Sequence, residues 1–295
     1  MDRPEPDRSS MVEMNRTQLR LWEWGAIGAP PILLVHGAFD HGRMWDGFAP
    51  ALADRGFRVV APDLRGHGDS GRLASGHVWS SCATDLGFLA RDLGGDVGII
   101  GHSFGGGQAM FVSAAWPELV RWVVVLDGLG PPPEVFDEDI DLIEVATKSF
   151  DALDRIRRRP PRAYPTRDEM ADRRAAVNSR LPRAWVDHLV LHGAAAVDGG
   201  FVWKSDALFN VGFPGSFGVA HLRAEFEAVT CPVLAVTGAV HDTWSELTPE
   251  QIDERLSWLA SSTHRVVDGA GHYVHVEQPA ATLAAIDEFL AGLEG

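Results

Sequence analysis

The sequence predicts an α/β fold, with a mostly parallel central sheet, helices on both faces and a mostly helical insertion. Short continuous apolar runs, such as Pro31-Ile-Leu-Leu-Val35, recur along the chain and end in polar or glycine-containing loops. Runs of this kind are the mark of strands buried on both faces. Helix-length segments separate them, and strand–helix alternation implies parallel pairing. The rhythm breaks only between residues 131 and 225.

Taken in order, residues 1–17 are polar and rich in Pro, Arg, Asp and Glu, which suits a mobile tail. Residues 17–24 alternate and suit an edge strand, and residues 31–35 begin the buried set. Further strands are expected at 58–61, 97–101, 122–126, 233–237 and 264–267. Helices are expected at 45–55, with Gly56 as C-cap, and at 80–92, 105–115 and 279–293. After Pro131-Pro132-Pro133, which stiffens the exit from the sheet, helical patterns appear near 140–156, 167–179 and 183–192. A Gly199-Gly200 turn follows, and then several aromatic residues. Residues 1–130 and 226–295 are therefore read as the core and 131–225 as a cap.

Composition narrows the function. A chain of 295 residues buries a sizeable core without metal or disulfide staples. A formal charge of −15 disfavours nucleic acid as a partner. The densest basic stretch, Arg155, Arg157, Arg158, Arg159 and Arg162, adjoins Asp151 and Asp154 and reads as a solvated face. Cys82 and Cys231 form no metal-ligand or disulfide pattern, and neither a signal peptide nor an apolar run of roughly 20 residues is present. The expected setting is the cytoplasm, with a small-molecule substrate, no membrane partner, and no metal or other cofactor.

The chemistry concentrates where Val97-Gly-Ile-Ile100 runs into Gly101-His-Ser-Phe-Gly105. A serine hydroxyl attacks only when it is exposed, aimed and relieved of its proton. A sharp strand-to-helix turn lifts Ser103 above the sheet, and crowding at that turn calls for glycine at 101 and 105. Developing negative charge on a carbonyl oxygen needs preorganised N–H donors. Phe104 is one expected donor, and Phe39 in His36-Gly37-Ala38-Phe39 is the other, with Ala38 as the alternative. His36 is read as a structural residue that braces this loop. The base is expected late in the chain, at His272 of Gly269-Ala-Gly-His272, with His275 a competitor. Two aspartates follow strands and suit the acid: Asp242, preferred, and Asp127. Trp185, Trp203, Phe209, Phe213, Trp244 and Tyr273 are the expected substrate-binding walls, joined by Phe39 and Phe104.

These residues, with Asp63-Leu-Arg-Gly-His-Gly-Asp-Ser70, Gly238 and Gly271-His272, resemble the α/β-hydrolase superfamily over residues 19–293. The segments Leu126-Asp-Gly-Leu-Gly-Pro131 and Gly199-Gly-Phe-Val-Trp-Lys204 are similar to its capped, serine hydrolase-like members. The resemblance implies a structural role for the Asp63–Ser70 turn. It also places the acid at the third position after the strand-end glycine, which here is His241, one residue before Asp242. Ser103 argues against haloalkane dehalogenase and epoxide hydrolase chemistry, where Asp stands at that position. The expected activity is cleavage of a small ester with an apolar or aromatic group, through an acyl-enzyme. The same site also suits a carbon–carbon hydrolase, thioesterase, amidase or perhydrolase. A receptor-like protein that binds without turnover is the reading from another class.

Overall fold

The computed structural model describes residues 5–72, 79–135, 142–158, 161–206, 218–242, 244 and 247–293. The strands are β1 (Arg8–Met14), β2 (Thr17–Trp24), β3 (Pro31–Val35), β4 (Arg58–Pro62), β5 (Val97–His102), β6 (Val120–Leu126), β7 (Ala194–Val197), β8 (Gly200–Trp203), β9 (Val233–Gly238) and β10 (Ser262–Val267). The helices are α1 (Ala49–Ala53), α2 (Trp79–Asp92), α3 (Phe104–Ala115), α4 (Leu142–Arg158), α5 (Arg167–Val177), α6 (Arg183–Gly193), α7 (Val219–Glu227), α8 (Pro249–Ser257), α9 (Val274–Glu277) and α10 (Pro279–Leu293). Among the described residues an 8-stranded sheet runs β1-β2-β4-β3-β5-β6-β9-β10. β1 and β2 are antiparallel additions, and the remaining pairings are parallel.

The period-two pattern of the strands divides the core. Leu33, Val35, Ile99, Val123, Val125, Val233 and Ala235 pack with α2, α3 and α7 on one face. Ile32, Leu34, Ile100, Val124, Leu126, Leu234 and Val236 pack with α1 and α10 on the other. Burial on both faces is what makes these strands continuous apolar runs. Between β6 and β9 the chain leaves the sheet. There α5, α6 and the antiparallel β7–β8 pair form a third cluster with Tyr164, Met170, Leu189 and Val190. This cluster lies on Met44, Tyr273 and Val276, at the carboxyl end of the sheet.

Several expectations change. Most of the supposed N-terminal tail is β1, whose seven residues pair in register with β2, so β2 is an interior strand. The alternation of Arg8–Met14 was hidden by its polar outer face. The strand expected at 264–267 is an edge strand, largely exposed, rather than one buried on both faces. The 45–55 helix divides into a 3-10 turn at Gly42–Trp45 and α1, because Pro50 sits at the start of α1. The insertion also holds the β7–β8 hairpin, which turns at Gly199 and Gly200, both at positive φ.

The polar turns brace the sheet ends. Asp63 Oδ1 accepts from Gly42 N at 2.6 Å and Trp22 Nε1 at 3.0 Å, and its Oδ2 accepts from Asp69 N at 2.8 Å. A carboxylate with three donors fixes a loop, which is the structural role the family resemblance implied. Buried Arg255 of α8 donates to the carbonyls of Leu129, Gly130 and Pro131 as the chain departs towards the insertion. Burial lowers its pKa to about 10.

Candidate active site

Ser103 sits between β5 and α3 with φ 54° and ψ −120°, a strained conformation for a residue with a side chain. The strain is held by close packing. A Cβ on Gly101 would lie 2.1 Å from Gly105 O, and one on Gly105 would lie 2.1 Å from Val35 O. Glycine is thus required at both positions. Ser103 N donates to Leu126 O at 3.0 Å, tying the turn to the end of β6.

β6 is the neighbour of β5, so the residue that follows β6 stands beside this turn. That residue is Asp127, also at positive φ (47°), with its N–H donating to Val236 O at 2.9 Å. Its Oδ2 lies 2.6 Å from His272 Nδ1. The imidazole N–H donates to the carboxylate, which fixes the tautomer that leaves Nε2 as the acceptor. Asp242 makes different contacts. Its Oδ2 accepts from His272 N at 3.0 Å and its Oδ1 from Trp244 N at 2.8 Å. The carboxylate at the imidazole is therefore Asp127 and not the preferred Asp242. The extra residue between Gly238 and Asp242 brings Asp242 to the backbone of the histidine loop.

The histidines divide by surroundings. His36 accepts from Leu64 N at 3.0 Å through Nε2 and donates to Gly37 O at 2.7 Å through Nδ1, bracing the loop as the sequence implied. Burial lowers its pKa to about 3. His275 is buried between Trp45 and His102, neither ring nitrogen has a hydrogen-bond partner among the described residues, and burial lowers its pKa to about 3. His102 donates from Nε2 to His272 O at 3.0 Å and packs on the His272 ring at 4.6 Å. Burial keeps it neutral.

Ser103 and His272 line one cavity of about 360 Å³ with Gly37, Ala38 and Phe39. The Phe39 N–H donates to His67 Nε2 at 3.3 Å, so the expected donor is directed at an imidazole, and Ala38 is the other N–H of that turn. Trp203, Trp244 and Tyr273 line the cavity as expected. Trp185 is not among the lining residues. It covers Gly47 and packs edge-on against His188 at 5.3 Å. Phe209 and Phe213 lie outside the described residues. The Phe104 ring packs edge-on against Trp79 at 5.1 Å, and Phe104 is not among the lining residues.

Sequence reasoning missed several lining residues, among them Asp40, Arg173, Arg174 and Asn178. Arg174 reaches from α5 to donate to Asp40 Oδ1 at 2.5 Å and to the Tyr273 hydroxyl at 3.0 Å. In the run Arg167–Val177, where acidic and basic residues are interspersed, nothing local marks either arginine as a lining residue. Away from the cavity, Asp46, His188 and His192 hold donor atoms within 4.8 Å of one another, a spacing that suits a metal ion. There, however, Arg43 Nε donates to Asp46 Oδ2 at 2.6 Å, and Nη1 lies 3.3 Å from His192 Nδ1. A guanidinium already supplies the positive charge at that spot.

Comparisons with known proteins bear on the family and the fold. A family model described as "Alpha/beta hydrolase family" matches residues 32–286. The "Serine hydrolase-like protein" of Danio rerio is 29% identical, over 92% of this chain and 85% of its own length. A 2-(acetamidomethylene)succinate hydrolase of Mesorhizobium japonicum is 28% identical, over 96% of this chain and 95% of its own. The solved thioesterase domain from the curacin biosynthetic pathway superposes with a TM-score of 0.80 at 22% identity, covering 94% of this chain and 97% of that one. The family model spans most of the sequence, and the chain belongs to the alpha/beta hydrolase family.

Proposed function

We propose that this protein is a serine hydrolase that cleaves small carboxylic esters with an apolar or aromatic group. The observation that carries the reading is the 2.6 Å contact between His272 Nδ1 and Asp127 Oδ2, made by an imidazole that lines the same cavity as Ser103. In this reading His272 Nε2 takes the Ser103 proton as Oγ bonds to the ester carbonyl carbon. Asp127 holds the tautomer and stabilises the imidazolium. The carbonyl oxygen gathers negative charge, which the N–H groups of Phe104 and Ala38 meet; Phe104 opens α3 directly after Ser103. The tetrahedral intermediate collapses, and the C–O bond breaks as His272 protonates the leaving alcohol. Water then attacks the acyl-enzyme with His272 as base, releasing the acid and restoring Ser103. The apolar walls of Trp203, Trp244 and Val177 and the modest cavity suit a small substrate with an apolar or aromatic group.

The test is labelling with a fluorophosphonate probe, followed by peptide mapping. Wild-type protein is expected to carry the label on Ser103 and to hydrolyse p-nitrophenyl acetate and butyrate. Ser103→Ala is expected to lose both, with turnover falling by about 10⁴–10⁶-fold. Absence of label in folded wild-type protein overturns the reading. Parallel rates on thioesters, anilides and vinylogous diketones rank the ester against its rivals.

A further inference from the structure

The cavity beside Ser103 is walled largely by apolar surface, and its charged lining residues are Asp40, Arg173 and Arg174. Two guanidiniums against one carboxylate is a local excess of positive charge in a chain of formal charge −15. Both arginines come from α5, and Val177 and Asn178, the residues next on the same helical face, line the cavity too.

These groups have unused hydrogen-bonding capacity. Arg174 commits Nη2 to Asp40 and Tyr273, whereas its Nε is buried with no acceptor and its Nη1 donates to none of the described residues. Arg173 lines the cavity from the exposed side of α5 and forms no ion pair or hydrogen bond among the described residues. Asn178 is 6% exposed, and only its backbone is bonded among them, through N–H to Arg174 O at 2.9 Å. A corner with one uncommitted guanidinium, spare donors on a second and a primary amide matches a single anionic group. The Asp40 carboxylate, already on Arg174, would repel a second negative charge. The rest of the wall asks for an apolar body.

We propose that the substrate carries a carboxylate remote from its scissile bond, seated on the α5 face formed by Arg173, Arg174 and Asn178. This rests on the serine-hydrolase reading for the location of the scissile bond, while the anion seat itself is a matter of binding. Charge-assisted hydrogen bonds from Arg173 and the uncommitted Nη1 of Arg174 favour the anion by about tenfold or more over a neutral isostere.

The experiment measures binding to the Ser103→Ala protein, which keeps ligands intact. Isothermal titration compares 4-acetoxybenzoate with its methyl ester at low and moderate salt. The acid is expected to bind about tenfold more tightly, with the advantage shrinking as salt rises. Arg173→Gln is expected to reduce the preference to about threefold or less. Because Arg174 is buried against Asp40, Arg174→Lys is used beside it; it keeps the charge but loses the fork, and an intermediate preference is expected. Equal or tighter binding of the methyl ester, or an undiminished preference in Arg173→Gln, overturns the proposal. Failure of the enzymatic reading appears separately, as an unlabelled Ser103 in wild-type protein.

Discussion

The pairing of Asp127 with His272 rests on where two carboxylates end up. Asp127 follows β6, the strand beside the serine turn, and its positive φ turns the side chain towards the histidine ring. Asp242 instead accepts from two backbone N–H groups, which makes it a loop brace. In p-nitrophenyl acetate hydrolysis, Asp127→Asn is therefore expected to lower kcat by about 10³–10⁴-fold. Asp242→Asn is expected to cost less than about tenfold, through loosening of the histidine loop. Equal losses in the two variants would contradict the assignment. Ser103, Gly101, Gly105 and His272 were legible in the chain because a strained turn and a glycine-flanked loop leave local signatures. The choice between the aspartates was not, since it depends on strand order and on one extra residue after Gly238. Arg173 and Arg174 were illegible for a different reason: a charged residue on a polar helix looks the same whether it faces solvent or a cavity.

At the scale of elements, the serine turn depends on close contact between β5, α3 and β3. Gly105→Ala would drive a methyl group into the Val35 carbonyl, with backbone on both sides and no flexible atom to yield. A loss of about 2–4 kcal/mol in urea unfolding is expected, with activity impaired even in the folded fraction. Helix α7, which packs against the core through Leu222 and Phe226, carries a second liability. Burial raises the Glu225 pKa from 4.5 to about 8, and its Oε1 has no partner among the described residues. Folded protein holds this proton while the unfolded chain releases it. Stability conferred by the neutral form is therefore full below pH 4.5 and declines as pH rises towards 8. Glu225→Gln is expected to flatten that decline in thermal melts taken between those limits. The β-strands of the sheet were readable because burial on both faces imposes continuous apolar runs. β1, β7 and β8 lie at edges or in the insertion, where one polar face or short length removes that signal.

The whole molecule carries an acid sensitivity set by its histidines. Burial lowers the pKa values of His36, His41 and His275 to about 3, each from 6.5. The unfolded chain takes up these protons below pH 6.5 while the folded protein refuses them until about pH 3. Stability is complete above that window and is lost as pH falls through it. Each histidine contributes up to about 1.4 kcal/mol per pH unit. Asp63, raised by burial to about 6, and Glu225, raised to about 8, act in the opposite direction and offset part of this total. Unfolding free energies measured from pH 7.5 to 4.5 are expected to fall steeply below pH 6.5 at constant ionic strength. A flat profile would show that these imidazoles are protonated in the fold. No helix among the described residues is long and apolar enough to cross a membrane.

Arg255 gives the molecule a clasp. Its guanidinium grips three successive carbonyls, those of Leu129, Gly130 and Pro131, just as the chain leaves for the insertion. Asp127 lies a few residues before that grip in the chain, and the segment that carries Arg173 and Arg174 lies after it. One buried cation therefore fixes the direction in which the chain leaves the carboxylate beside His272.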